Sequence, residues 1–485
     1  MTLRAQVIRG SVYLALREGA GTLLSLGGML LLTRLIGPAN YGIYVSSHTF
    51  LAYLVGLSEV GVGVFLIRLA ESKGDEVFDQ AFTLLLCLSA IGVALALLCL
   101  PLLGRVVRID GFVPAAIALA IGLPITHMTK VPMARLERQL DYKRVAGIEL
   151  TSHLAYYVVG LAFAFRGAGV WAPVLGWWAE QLTQFVLAYR TGYRPRLRWD
   201  PARVREMLSY GASYSTSIWI QQLRTFVNPL VLGRLLGPAA VGYVALAVRL
   251  IDSLGFVKVA TTRISIAALA RLQGDRARLA RAITEGMTLQ VLAVGPLLLG
   301  FAVVAPFVLP LVFGAQWLPT LDVFPPLAAA YALGAMFVLH SSALVTLHRN
   351  LAVAAGALVQ AVVLAVGALL LVPRFGAVGY GWAELATVPT YLVWHALLVR
   401  HVERMRYTHA LMWLAALALP LLTFDLVRFT WPLALLPLFW PSARREIMGV
   451  VEVVLKRRVA GPPESAEQVE AEHAVLAGTS PRPEP

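Results

Sequence analysis

Charge is the scarcest commodity in this chain. Asp, Glu, Lys and Arg make up 14% of its 485 residues, where a soluble domain carries about a quarter. That shortfall excludes an ordinary soluble globular protein. The five lysines (Lys73, Lys130, Lys143, Lys258 and Lys456) are never followed by Ser or Thr, which excludes a phosphate-cradling P-loop and an ATPase of that kind. No His-Glu-x-x-His occurs. Cys87 and Cys99 are the only cysteines, and both fall in one apolar run. They read as packing residues, and no disulfide framework or zinc site can be built from them. No metal, no cofactor and no enzymatic activity are expected.

What the chain has in excess is hydrocarbon. Hydrophobic residues make up 58% of it and the mean hydropathy is +0.72. The excess is laid out in runs such as Leu84 to Leu103, Leu289 to Val312 and Leu351 to Val372, each long enough to cross a bilayer core at about twenty residues. Arg4 and Arg9 precede an apolar segment, as in a signal peptide. Arg17 and Glu18 interrupt it, however, and it continues to Ile36 without a small-residue cleavage site, so it is read as a retained first helix. The fold class is therefore an all-α integral membrane protein of about fourteen transmembrane helices. The spans are residues 11–36, 41–67, 80–104, 112–134, 146–166, 168–189, 211–236, 241–263, 284–312, 321–347, 351–372, 376–399, 409–426 and 428–441, the last two being short.

With a net charge of +14, the question in a membrane protein is topology rather than nucleic acid. Placing the N-terminus in the cytoplasm puts thirty of the 41 basic residues in inside connections, seven in outside ones and four within spans. That bias orients the chain with both termini cytoplasmic. Every outside connection is short. The longest inside one, 190–210, contains Asp200-Pro201, an N-cap followed by proline at the first helical position. Its mixed basic and apolar sequence predicts an interfacial helix on the inner leaflet. Beyond Ala460 the chain becomes Glu- and Pro-rich, a composition that predicts disorder.

An internal repeat organises the spans. Leu32-Thr-Arg-Leu-Ile-Gly37-Pro38-Ala-Asn-Tyr-Gly42 and Leu232-Gly-Arg-Leu-Leu-Gly237-Pro238-Ala-Ala-Val-Gly242 are identical at seven of eleven positions, without a gap. Weaker echoes link Leu136, Arg138 and Leu140 to Leu347, Arg349 and Leu351, Trp178-Ala-Glu180 to Trp382-Ala-Glu384, and Gly167-Ala to Gly376-Ala. Gly-Pro-Ala-x-x-Gly ends one helix, turns tightly and starts the next. Six spans per repeat is an even number, so the halves enter the membrane in the same direction. This predicts two six-helix bundles related by a pseudo-two-fold axis along the membrane normal, plus a C-terminal helix pair, with a site between the halves near mid-membrane. The expected units are an N-terminal lobe (1–189), a basic cytoplasmic linker (190–210), a C-terminal lobe (211–399), a terminal pair with a basic segment (400–460) and a disordered tail (461–485).

Polar residues inside spans are costly and usually face a protein interior or a water-filled cavity. On the seventh span Ser213, Ser217, Gln221, Arg224 and Asn228 share one helical face. We read that face as lining a cavity in which Arg224 is an anion ligand; inter-helix hydrogen bonding is the competing reading. Arg17 falls opposite Ser217 at the repeat offset and either faces the same cavity or snorkels to the inner interface. Arg249 joins the candidate cavity residues and, three positions from Asp252, can pair with it along the helix. Candidates for coupling or gating are Asp252, Lys258, Glu59 and His48, the last because it titrates near neutrality, although a packing role also fits it. Glu180 and Glu384, symmetrically placed, read as scaffold.

The Arg34–Gly42 turn, its partner at Arg234–Gly242, Arg135-Leu-Glu-Arg138-Gln-Leu-Asp-Tyr142-Lys-Arg144 and Pro373-Arg-Phe-Gly376-Ala-Val-Gly379 resemble the polysaccharide-transporter branch of the multidrug/oligosaccharidyl-lipid/polysaccharide exporter superfamily. The resemblance covers residues 1–440. It implies a bacterial inner-membrane flippase that moves a polyprenyl-diphosphate-linked oligosaccharide outwards for lipopolysaccharide or exopolysaccharide synthesis. The implied partners are that lipid-linked saccharide, membrane lipid and a polymerase or assembly machinery. A cation-coupled small-molecule exporter of the same superfamily is the alternative, and it needs fewer central arginines. A polyprenyl-phosphate-using enzyme would need long outside loops, which are missing. One consequence is directly measurable. Cysteines introduced at Gly37 and Gly237 should react with an impermeant thiol reagent from the same, outer side of the membrane; labelling from opposite sides would contradict the parallel repeat.

Overall fold

The computed structural model describes residues 3–68, 76–423, 430–439 and positions 441, 444 and 448; for residues 3–26, and for residues 212–214, 217, 218, 221, 257, 259, 260, 262–264, 267 and 431, it describes the backbone alone. The described residues form helices and their connections, with no strand among them. Among the described residues, six helices are long and apolar enough to cross a membrane: Glu76–Val107, Phe112–Arg138, Tyr142–Phe165, Arg276–Val312, Thr320–Thr346 and Asn350–Phe375. They coincide with predicted spans three to five and nine to eleven. Their outward faces remain apolar, with Leu98, Phe307, Leu311 and Leu351 each at least 75% exposed, as expected where the solvent is lipid.

The first two predicted spans form one helical stretch, Leu3–Glu59, interrupted at Gly37 (φ 77°, ψ 170°). The equivalent interruption, Gly237, lies at φ 83°, ψ −179°. Both repeat copies thus use a backbone conformation open essentially to glycine alone, and Pro38 and Pro238 start the following helices. Asp141, Asp200 and Asp275 cap three further helices, accepting bonds from Arg144 N at 3.2 Å, Ala202 N at 3.0 Å and Arg278 N at 2.9 Å. The weaker echo around Arg138 shifts in register. The matching left-handed residues are Leu140 (φ 57°) and His348 (φ 58°), so the junctions correspond at a spacing three residues shorter than the sequence match. The chain reversal, not the arginine, sets the correspondence.

The linker packs one side against the protein. The helix beginning at Pro201 runs unbroken to Leu223, and its Met207 is fully buried with Phe78, Phe82 and Val131. The preceding segment is tied to the start of the third span. Tyr193 Oη and Arg196 N both donate to Asp79 Oδ1 at 3.1 Å, and Arg198 N donates to Thr83 Oγ1 at 3.0 Å. The Arg198 guanidinium pairs with Glu76. Burial and the Asp79 charge push the Tyr193 hydroxyl well above its usual range, which keeps it a donor. Arg198 thus meets acidic partners at the start of the third span, and the apolar side chains around Met207 fill a core. At the C-terminus, Thr408–Thr423 is helical, whereas 428–441 contains a nine-residue 3₁₀ stretch, Trp431–Phe439.

The two turn motifs pack on each other. A Cβ on Gly42 would collide with the Pro238 carbonyl, and one on Gly242 with the Pro38 carbonyl. Beside this contact Trp317 is fully buried against Tyr41 (5.7 Å between ring centroids) and Tyr243 (6.1 Å). Arg34 Nη1 donates to the Leu311 carbonyl at 2.7 Å, and Gln316 Nε2 donates to the Arg34 carbonyl at 2.9 Å. Because the obstacle facing each glycine is backbone, it cannot rotate away. Gly42→Ala and Gly242→Ala should each cost about 1–3 kcal/mol through overpacking, read as a lowered unfolding temperature in detergent. Gly300→Ala, which meets nothing within 4 Å, should not lower it.

Candidate functional site

Three spans lose regular helix at the same place. The seventh changes from α-helix at Leu223 to 3₁₀ over Arg224–Phe226 and then to π-helix over Asn228–Leu232. Pro229 is the cause within the chain, since it has no N–H for the Thr225 carbonyl and its ring crowds that turn. The twelfth does the same. Helix Ala377–Ala386 gives way to 3₁₀ over Val388–Thr390 and resumes at Tyr391, with Pro389 as the breaker. The eighth breaks at Gly255 between Leu254 and Phe256, and the Gly255 carbonyl accepts from Lys258 N at 2.9 Å and from Tyr331 Oη at 3.3 Å. The charged residue precedes its proline by five positions in both proline-broken spans, Arg224 before Pro229 and Glu384 before Pro389.

These breaks surround a cavity of about 510 Å³. Arg224 Nη2 donates to Glu384 Oε2 across it, and the Glu384 side chain is only 11% exposed. Breaking such a pair from one side leaves an uncompensated buried charge, a cost of about 3–5 kcal/mol. Arg249, Asp252 and Lys258 line the same cavity, with Lys258 Nζ 4.2 Å from the centre of the Tyr331 ring. The side walls therefore carry three cations against two carboxylates. Asn228 also faces it, and its Oδ1 is buried without a hydrogen-bond partner in the structure.

A second cavity of about 400 Å³ lies in the N-terminal half and shares Tyr41, Val45, Thr49 and Arg249 with the first. It is walled by aromatic rings, and His153 Nδ1 and Glu180 Oε1 lie 2.7 Å apart within it.

Of the residues singled out from sequence, Arg224, Asn228, Arg249, Asp252 and Lys258 come together in the first cavity, and His48 lines the second. Glu59 lines neither. It stands eleven residues beyond His48, about 16 Å along the helix at 1.5 Å per residue, and pairs with Lys130 at 3.2 Å. The side chains of Arg17, Ser217 and Gln221 lie outside the described residues. Glu384, read from sequence as scaffold, is the counterion of Arg224. The repeated Trp-Ala-Glu and the proline five residues after Glu384 were visible signals, but neither says which cation the carboxylate meets.

A family described as polysaccharide biosynthesis protein matches residues 31–322. The chain is 25% identical over 322 residues to the lipopolysaccharide biosynthesis protein WzxC of Escherichia coli (strain K12), covering 65% of each chain. It is 22% identical over 198 residues to the teichuronic acid biosynthesis protein TuaB of Bacillus subtilis (strain 168), covering 40% of this chain and 41% of that one. The matches thus span less than two thirds of these relatives' own length. Among solved structures, the lipid II flippase MurJ in an inward closed conformation is similar with a TM-score of 0.66 at 13% identity, over 91% of this chain and 99% of that chain. An inward-facing multidrug resistance MATE family transporter gives 0.63 at 17% identity, over 78% and 95%. At those identities the likeness is one of fold. With more than half its length matched by that family and its helices arranged as in the two solved transporters, the chain belongs to the polysaccharide biosynthesis protein family.

Proposed function

We propose that this protein is a flippase that carries a polyprenyl-diphosphate-linked oligosaccharide from the cytoplasmic to the outer leaflet of a bacterial inner membrane by alternating access. The observation that carries this reading is Arg224, held by a single carboxylate at a mid-span helix break, in a cavity with Arg249 and Lys258. Arginine's planar fork suits phosphate oxygens and stays charged at every relevant pH. A diphosphate offers more acceptors than Glu384 does, so binding exchanges one counterion for another without leaving Arg224 bare. Relatives named for lipopolysaccharide and teichuronic acid biosynthesis, and a lipid II flippase of like fold, support the same substrate class. A small-molecule exporter would need a less cationic cavity.

The proposed architecture is fourteen spans with two six-helix lobes, 1–189 and 211–399, around a pseudo-two-fold axis along the membrane normal. Its support is the matched conformations of Gly37 and Gly237 and the reciprocal seating of Gly42 and Gly242. Both termini lie in the cytoplasm by the basic-residue bias. A polysaccharide polymerase would consume the product outside.

Deleting the gene should cause a lipid-linked saccharide to accumulate on the cytoplasmic face; an unchanged lipid pool with normal surface polysaccharide would refute the assignment. At the site, Arg224→Ala should abolish export and weaken binding of undecaprenyl diphosphate about 10- to 100-fold, the equivalent of about 1.5–3 kcal/mol for a charged hydrogen bond. Adding Glu384→Gln should restore most of the lost thermal stability without restoring export, because it removes the stranded charge. Recovery of export in the double variant would mean that Arg224 serves only to neutralise Glu384.

Alternating access has its own test. A disulfide between cysteines at Tyr41 and Val241, beside the Gly42–Pro238 contact, should stop export until it is reduced. Full transport with the cross-link formed would exclude rocking of the two halves at that contact.

A further inference from the structure

The aromatic cavity of the N-terminal half has no part in holding a diphosphate. Its carboxylate, Glu180, repels one, and its one arginine, Arg249, stands on the seam with the cationic cavity. About 400 Å³ is nevertheless a small-molecule volume, since such sites run from roughly 300 to 1,000 Å³ with apolar walls and a few placed polar groups. The walls here are Tyr44, Tyr156, Tyr157 and Trp177, each an apolar ring, and all but the first two have their rings set against neighbouring backbone. A Cβ on Gly28 would strike the Tyr157 ring, and one on Gly122 would lie 2.5 Å from the Trp177 ring. The missing side chains at those glycines are what let the rings approach so closely. Tyr156 Oη donates to Tyr44 Oη at 3.4 Å, and the two rings of Tyr156 and Tyr157 meet edge to face at 4.8 Å. The sixth span is regular helix from Trp171 to Tyr189 here, whereas its counterpart is broken beside Glu384. The cavity's polar groups include the His153–Glu180 pair and His48.

Rigid aromatic faces need a partner with an apolar face, and a carboxylate beside imidazoles and phenols needs a partner with several neutral hydroxyls. A sugar ring has both: axial C–H bonds to stack on a ring, and adjacent hydroxyls to bridge carboxylate and imidazole. We propose that this cavity is a saccharide subsite, which seats the sugar next to the diphosphate while the diphosphate occupies the cationic cavity, with Arg249 at the boundary between them. Tyr156 and Glu180 are then specificity-determining residues. This rests on the flippase reading above. It predicts a division of labour: the C-terminal cavity recognises the carrier, and the N-terminal cavity recognises what is attached to it.

The test compares carriers with and without sugar on the full-length protein in lipid nanodiscs. The probes are undecaprenyl diphosphate and the same lipid bearing glucose, galactose or N-acetylglucosamine. At least one glycosylated carrier should bind about tenfold more tightly than the bare one, the gain expected from one well-made hydrogen bond to a charged group. Tyr156→Ala and Glu180→Gln should remove that gain while still binding the bare carrier, which also shows that they fold. Tyr156→Phe, which keeps the ring, should retain part of it. Arg224→Ala should weaken glycosylated and bare carriers in parallel. A gain that survives both Tyr156→Ala and Glu180→Gln, or no gain with any of the three sugars, overturns the subsite and leaves the flippase reading standing. No binding of the bare carrier to the wild-type protein, or binding indifferent to Arg224, overturns the flippase reading and the subsite with it.

Discussion

A helix broken inside a bilayer is a liability, because lipid offers no partner to the backbone groups that the break releases. Such breaks are tolerated where protein or polar space takes over from lipid, and this constraint determines where everything else in the molecule goes. The seventh, eighth and twelfth spans each break, at Arg224–Leu232, Gly255 and Val388–Thr390, and all three breaks border one cavity. The charged side chains there are not independent of the backbone. Arg224 and Glu384 each sit five residues before a proline, so the irregular turns also place the ion pair across the gap.

The two halves share a turn but not a chemistry. Around Gly37 and Gly237 the backbone repeats closely, and each motif closes on the other through a glycine that faces a proline carbonyl. Further into the membrane the halves diverge. The C-terminal half has proline and glycine in mid-span and collects cations, whereas the sixth span stays helical and the N-terminal cavity collects rings. Glu180 and Glu384 occupy equivalent places in the repeat, yet one meets His153 and the other Arg224. A repeat conserves what the main chain must do; the side chains around it are free to specialise.

The close contact between the two turn motifs has a mechanical consequence. Trp317 packs between Tyr41 and Tyr243, and Arg34 and Gln316 tie the first span to the connection after the ninth. Hydrogen bonds to main-chain carbonyls and ring packing hold this end together, with no ion pair between Arg34 and the residues it bonds. Interactions of that kind are made and broken at modest cost, as the alternating access proposed above would require of this contact.

Much of this was legible in the linear order of residues. Apolar runs of bilayer length, the scarcity of charge and the Gly-Pro-Ala-x-x-Gly repeat set the helical class, the place of the helix ends at Gly37 and Gly237, and the family, because each depends on local chain physics or on composition. The stripe ending in Arg224 and Asn228 was legible too, since helical periodicity alone puts those residues on one face and the cost of a charge in lipid points that face inwards. Glu59 shows the limit: it lies on a broad face with His48 but too far along the helix to reach the same space, and Lys130 takes it up. The helix at Pro201 shows another, because a mixed basic and apolar segment reads alike whether its partners are lipid headgroups or Asp79, Glu76 and a buried cluster around Met207. Tertiary structure alone decided that Glu384 faces Arg224 across 160 residues of sequence, that glycines seat particular rings, and that there are two cavities of different chemistry. Periodicity and composition describe one helix at a time, whereas pairing, seating and cavity shape depend on which helices touch and at what depth.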